Sequence, residues 1–139
     1  MGYLIKKSVQ QIVTAKVTLT NANLLTPGYI VDIPEYPAVK NYFWQVLNLN
    51  GHIINGSTPY VGTSSIHIQC STAPEVQSRF TGGFLTSATN TWCNAPINSN
   101  NAGIIIFADN DNLQIHNPGT LTVGDNDLDL YISAILIPL

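Results

Sequence analysis

The stretch Gly124-Asp125-Asn126-Asp127-Leu128-Asp129-Leu130-Tyr131-Ile132-Ser133-Ala134-Ile135-Leu136-Ile137-Pro138-Leu139 decides the fold class. Leu128, Leu130, Ile132, Ala134 and Leu136 fall on one face at period two. Asp129, Tyr131, Ser133, Ile135 and Ile137 fall on the other. This is the alternation of a β-strand, not the spacing of a helix. The first half has a polar outer face, whereas the second half is apolar on both faces and is expected to be covered on both. Gly124 to Asp127 is turn chemistry leading into it.

The same period recurs outward from this run. Val13, Ala15, Val17 and Leu19 alternate with Thr14, Lys16 and Thr18. Leu24 and Leu25 fit one short helical turn capped by Thr20 or Asn21. Pro27-Gly28 is a turn, and Tyr29 to Ile33 is a short strand closed by Pro34. An aromatic strand runs from Tyr42 to Leu49, and Asn50-Gly51 reads as a hairpin turn with His52-Ile53-Ile54 as the return. Tyr60-Val61 and Ser65 to Cys70 are further strand. The polar stretch from Ser71 to Asn101, with Gly82-Gly83 and anchors at Phe80, Phe84, Leu85 and Trp92, reads as irregular loops with one short helix or strand. Ile104 to Phe107 and Leu113 to Ile115 read as strands on either side of a turn at Asp109 to Asn112. Seven or eight strands with long connections predict an all-β fold: one antiparallel β-sandwich domain over residues 1–139, jelly-roll-like, with an extended N-terminal segment at residues 1–8.

Composition narrows the function classes. Charged residues are 9% of the chain, against about 25% in an average soluble domain. Fifteen Asn, thirteen Thr and nine Ser take their place. Amides and hydroxyls then keep the surface soluble, and weak like-charge repulsion makes self-association cheap. The five Lys and Arg residues form no basic stripe, so no nucleic-acid partner is expected. The apolar runs are too short for a membrane helix. Lys6 and Lys7 are followed by Ser-Val-Gln-Gln rather than an apolar core, so the start does not read as a signal peptide and the product is expected to be made in a cytoplasm.

Candidate sites are few. Asp125, Asp127 and Asp129 are spaced like the opening of a calcium loop, but Leu130 stands where such a loop needs Gly and Leu136 where it needs Glu. A turn entering a strand accounts for them, and they remain a weak calcium candidate. His52, His67 and His116 are scattered, and Cys70 and Cys93 lie outside any metal-binding spacing. The two cysteines read as small packing residues, with a disulfide as the alternative. The chain has only two Glu, Glu35 and Glu75, and no nucleophile, phosphate-loop or dinucleotide motif, so no catalytic residue and no cofactor is assigned and the expected role is non-enzymatic. Trp44, Trp92, Tyr36, Tyr42, Tyr60 and Tyr131 are the candidates for sugar contact. Trp92 stands out in its polar Asn-Thr-Trp-Cys-Asn setting; such a Trp either anchors a loop or stacks on a sugar. Trp92, Tyr60, Tyr131, Ile135 and Ile137 are therefore the ligand or interface candidates.

Several separated features occur in a telling order: Leu19-Thr-Asn-Ala-Asn-Leu-Leu25, a short strand ending at Pro34, an aromatic strand, Ser57-Thr58-Pro59-Tyr60 before Ser-Ser-Ile-His-Ile-Gln, Phe84-Leu85-Thr86-Ser87, and the closing run Gly124 to Ala134. In this the chain resembles small structural proteins of tailed bacteriophages, over about its full length. The resemblance implies a β-sandwich in the virion, as a head decoration, auxiliary capsid or fibre subunit, and carries over no catalytic residues. Low charge, amide-rich loops and the doubly apolar C-terminal strand point to a homo-oligomer, with a cyclic trimer as one form, packed on other virion proteins such as the major capsid protein. The alternative is a carbohydrate- or receptor-binding sandwich whose partner is a host surface glycan.

Overall fold

The computed structural model describes residues 10–54, 56–72, 76–80, 82–86, 91–95 and 110–138. In chain order these form β1 (Ile12–Leu19), α1 (Asn21–Leu25), β2 (Tyr29–Asp32), β3 (Tyr42–Ile54), β4 (Val61–Thr63), β5 (Ile66–Cys70), β6 (Val76–Phe80), α2 (Gly82–Leu85), β7 (Trp92–Ala95), β8 (Leu113–Asn117), β9 (Thr120–Thr122) and β10 (Asp127–Pro138). The N-terminal segment 1–8 and the strand expected at Ile104 to Phe107 lie outside the described residues.

All strand pairs are antiparallel. Their pattern is nested about the β5–β6 hairpin: β8 pairs with β2, β7 with β3 and β10 with β1. Two further pairings, β10 with β3 and β8 with β5, join these into two four-stranded sheets, ordered β1-β10-β3-β7 and β2-β8-β5-β6. The short β4–β9 ribbon stands apart. The inner faces of the two sheets share one core that includes Leu49, Ile53, Ile66, Ile68, Phe80, Leu113, Ile115, Leu128, Leu130 and Ile132. The expected all-β fold is what the chain forms: a two-sheet sandwich of β-strands.

Period two works as expected in β1 and β10. Ala15 and Leu19 point inward while Thr14, Lys16 and Thr18 point outward, and Leu128, Leu130, Ile132 and Ala134 line the core from β10. The chain itself covers the last part of β10 only in part, since Ile135, Leu136 and Ile137 are half-buried. Helix α1 starts where the capping chemistry placed it. The Thr20 side chain accepts from the Asn23 N–H, and the Asn23 side chain accepts from the Thr20 N–H.

Two expectations are corrected. Asn50-Gly51 is not a turn: β3 runs unbroken through it for 13 residues. It is paired with β10 along its length and with β7 at Leu49–His52. A glycine is needed there for another reason, because a Cβ at Gly51 would lie 2.8 Å from Phe80 Cζ and 3.0 Å from Phe84 Cε1. The polar stretch after Ser71 holds more than the one short element expected, since it contributes β6, α2 and β7. Phe84 and Leu85 of α2 close the core at that end.

Polar side chains finish the backbone pairing that the strands leave open. Strand β7 spans only Leu49–His52 of β3, so the β3 backbone before it needs another partner on that side. Gln77 of β6 supplies one across the sandwich: its Nε2 donates to Trp44 O at 2.9 Å, and its Oε1 accepts from Val46 N at 2.9 Å. Tyr36 reaches from the loop after β2 to place its hydroxyl 2.9 Å from Ile132 O and 3.0 Å from Val13 O, tying that loop to β10 and β1. Burial, reinforced by the Glu35 charge, holds this phenol well above its usual pKa.

Candidate functional site

The outer face of the β1-β10-β3-β7 sheet gathers the chemistry. The register sets it out in cross-strand rows. Thr18, Asp129, His52 and Trp92 form one row, Lys16, Tyr131, Asn50 and Asn94 the next, and Thr14, Ser133 and Asn48 a third. Beyond a β-bulge at Leu47, which shifts the β3–β10 register between Ser133 and Ala134, the rows turn largely apolar, with Gln45 opposite Ile135 as a polar member. Ile12 lies opposite Ile135, and Ile137 opposite Phe43. One face thus carries two surfaces, an aromatic–amide half and an aliphatic half.

In the first half, Trp92 stacks on His52 with ring centroids 4.1 Å apart and planes 6° from parallel. Tyr131 lies 5.6 Å from the indole at 27°. Trp92 is still 60% exposed. Beside it, Asn94 Nδ2 donates to Asn48 Oδ1 at 3.0 Å and to Asn50 Oδ1 at 2.7 Å. At the far end Lys16 Nζ sits 5.5 Å above the Tyr131 ring and 2.9 Å from Asp129 Oδ2. Burial opposes ionisation of Asp129, yet the Lys16 ammonium and the Thr18 hydroxyl hold its carboxyl below the usual range. A cleft of ≈ 290 Å³ lined by Thr14, Lys16, Asn48, Asn50, Tyr131 and Ser133 runs through this half.

The expected candidates therefore divide. Trp92 and Tyr131 meet on this face, and Ile135 and Ile137 lie further along it. Tyr60 does not join them, because it is only 2% exposed and works as a lock. Its hydroxyl donates to Asn126 O and accepts from Asn21 Nδ2. Asp125, Asp127 and Asp129 do not converge. Asp125 accepts from the N–H groups of Ser57 and Thr58, Asp127 from the Asn21 N–H at the start of α1, and Asp129 from Lys16 and Thr18. Among the described residues no three His, Cys, Asp or Glu side chains gather in a metal-holding group. The turn reading accounts for these aspartates, which tie the chain entering β10 to the loop before β4, to α1 and to β1.

His67 and His116 face each other on the other sheet, 6.0 Å apart and edge-on. Burial, then the charges of His116 and Arg79, push His67 down to about 4. Cys70 and Cys93 are not joined in a disulfide; the first is buried and the second half-buried.

His52, Asn48, Asn50, Asn94 and Lys16 were not singled out from the sequence as site residues. The signal was there in β3. Reading Tyr42 to Ile54 as one strand places Asn48, Asn50 and His52 at period two on a single face. No protein family, no curated protein and no solved structure matches the chain.

Proposed function

We propose that the chain is a non-enzymatic structural subunit of a tailed-phage virion, a jelly-roll sandwich that self-associates and packs on other virion proteins. The observation that carries this reading is the aliphatic half of the outer face. Ile12, at 57% exposed, joins the half-buried Ile135 and Ile137 there, with no charged side chain among the outward residues of those rows. Apolar surface of this kind gains stability when a second copy covers it. With 9% charged residues in the chain, little repulsion opposes that contact.

Three further points support the reading. The nested pairing of β1 with β10, β2 with β8, β3 with β7 and β5 with β6 is the order that results when one long hairpin rolls into two sheets, as in jelly rolls. The space between the sheets is filled by Leu, Ile, Phe and Trp side chains. The resemblance of the chain to small phage structural proteins supplies the setting.

Light scattering across a concentration series, with mass spectrometry of purified particles, tests the proposal. A stable oligomer, a trimer being one form, and the presence of the chain in the particle support it. A monomer at high concentration together with absence from particles overturns it.

A further inference from the structure

We infer that the Trp92 half of the outer face is a binding site for a neutral hexose unit of a glycan. The indole is exposed on a sheet, not packed into a core, and His52 and Tyr131 hold its ring in place. A fixed, exposed indole suits the C–H face of a pyranose ring, which is apolar and flat. The hydroxyl rim of such a ring needs donors and acceptors beside the platform. Asn48, Asn50 and Asn94 provide them. Asn94 spends its donors on its two neighbours, leaving its own Oδ1 and the Nδ2 groups of Asn48 and Asn50 without partners among the described residues. Neighbouring unused donors and acceptors of this kind can serve sugar hydroxyls. The ≈ 290 Å³ cleft beside the platform falls just below the range for drug-sized ligand sites, about 300–1,000 Å³, as suits a single sugar unit.

Charge decides between neutral and acidic sugars. The cation on this half is Lys16, and it is already paired with Asp129 at 2.9 Å. A carboxylated or sulfated sugar would have to compete with that carboxylate. The site does not depend on the aliphatic half of the face, which starts beyond the Leu47 bulge.

The test titrates the 15N-labelled full chain with neutral linear oligosaccharides of glucose, galactose, mannose and N-acetylglucosamine. Two indole N–H signals report, one from Trp92 and one from the buried Trp44. At least one oligosaccharide is expected to move the Trp92 signal saturably, along with the side-chain amides of Asn50 and Asn94, and to leave Trp44 unmoved. Trp92→Ala is expected to weaken binding about tenfold, and Trp92→Phe by less. Asn94→Ala, which leaves the platform in place, is expected to weaken it several-fold. No shift at Trp92 with any of these sugars, unchanged binding by Trp92→Ala, or binding confined to sulfated or sialylated glycans would each overturn the inference. Light scattering on the same samples keeps the two proposals separate, because an oligomer that binds no sugar defeats this site alone.

Discussion

At Gly51 the Cα passes close to two aromatic rings, Phe80 of the opposite sheet and Phe84 of α2, 2.8 Å and 3.0 Å from where a Cβ would sit. Phe80 is fully buried, so its ring has nowhere to move. Gly51→Ala is therefore expected to lower stability by about 1–3 kcal/mol through overpacking. Urea unfolding should show a lower midpoint at unchanged slope. Gln77 is the polar counterpart. Its amide serves a donor and an acceptor of the β3 backbone deep in the sandwich. In Gln77→Ala both groups are left without partners at a cost of about 2–6 kcal/mol, because each buried unsatisfied group costs about 1–3 kcal/mol. A variant that unfolds at the wild-type urea midpoint would show that water replaces the amide.

At the scale of elements, the legible ones were those whose own side chains alternate. Strands β1 and β10 show a clean period two, and α1 announces itself through Thr20 and Asn23. Strand β6 was hidden because Gln77 and Ser78 are polar yet buried, which erases the pattern that marks a strand. Strand β7 is four residues long and exists through its pairing with β3, a fact of tertiary structure. The Asn50-Gly51 signal was overridden by neighbours on both sides of β3. These same misreadings hid the candidate site. Once β3 is cut at Asn50, His52 no longer shares a face with Asn48, and without β7 there is no edge on which to put Trp92. The aliphatic half of β10, in contrast, was readable, and it carries a prediction. Ile12→Glu places a charge opposite Ile135 at an exposed position. It should leave folding stability within about 0.5 kcal/mol of wild type while shifting the oligomer towards single chains in light scattering. An oligomer of unchanged mass would place the contact elsewhere.

For the molecule as a whole, few charges mean that a handful of groups set the response to pH. His67 dominates near neutrality. Its value is about 4 in the folded chain, against 6.5 for a free imidazole, because burial and the nearby His116 and Arg79 disfavour the cation. Between those two values the unfolded chain binds a proton at His67 that the folded chain does not. Unfolding is then favoured as pH falls, and the contribution is fully present only above pH 6.5. Asp111 and Asp129 act in a lower window. Burial opposes their ionisation, but the Ser71 hydroxyl with the Thr72 hydroxyl and N–H for Asp111, and Lys16 and Thr18 for Asp129, keep both carboxyls below their ordinary 3.8. Their stabilisation is present above that value and is lost as pH falls through their folded values. Thermal unfolding midpoints should therefore decline in two stages on acidification, one from about pH 6.5 to 4 and one below it. His67→Gln should flatten the first stage and leave the second. If the variant declines as steeply as wild type between pH 6.5 and 4, the first stage does not belong to His67.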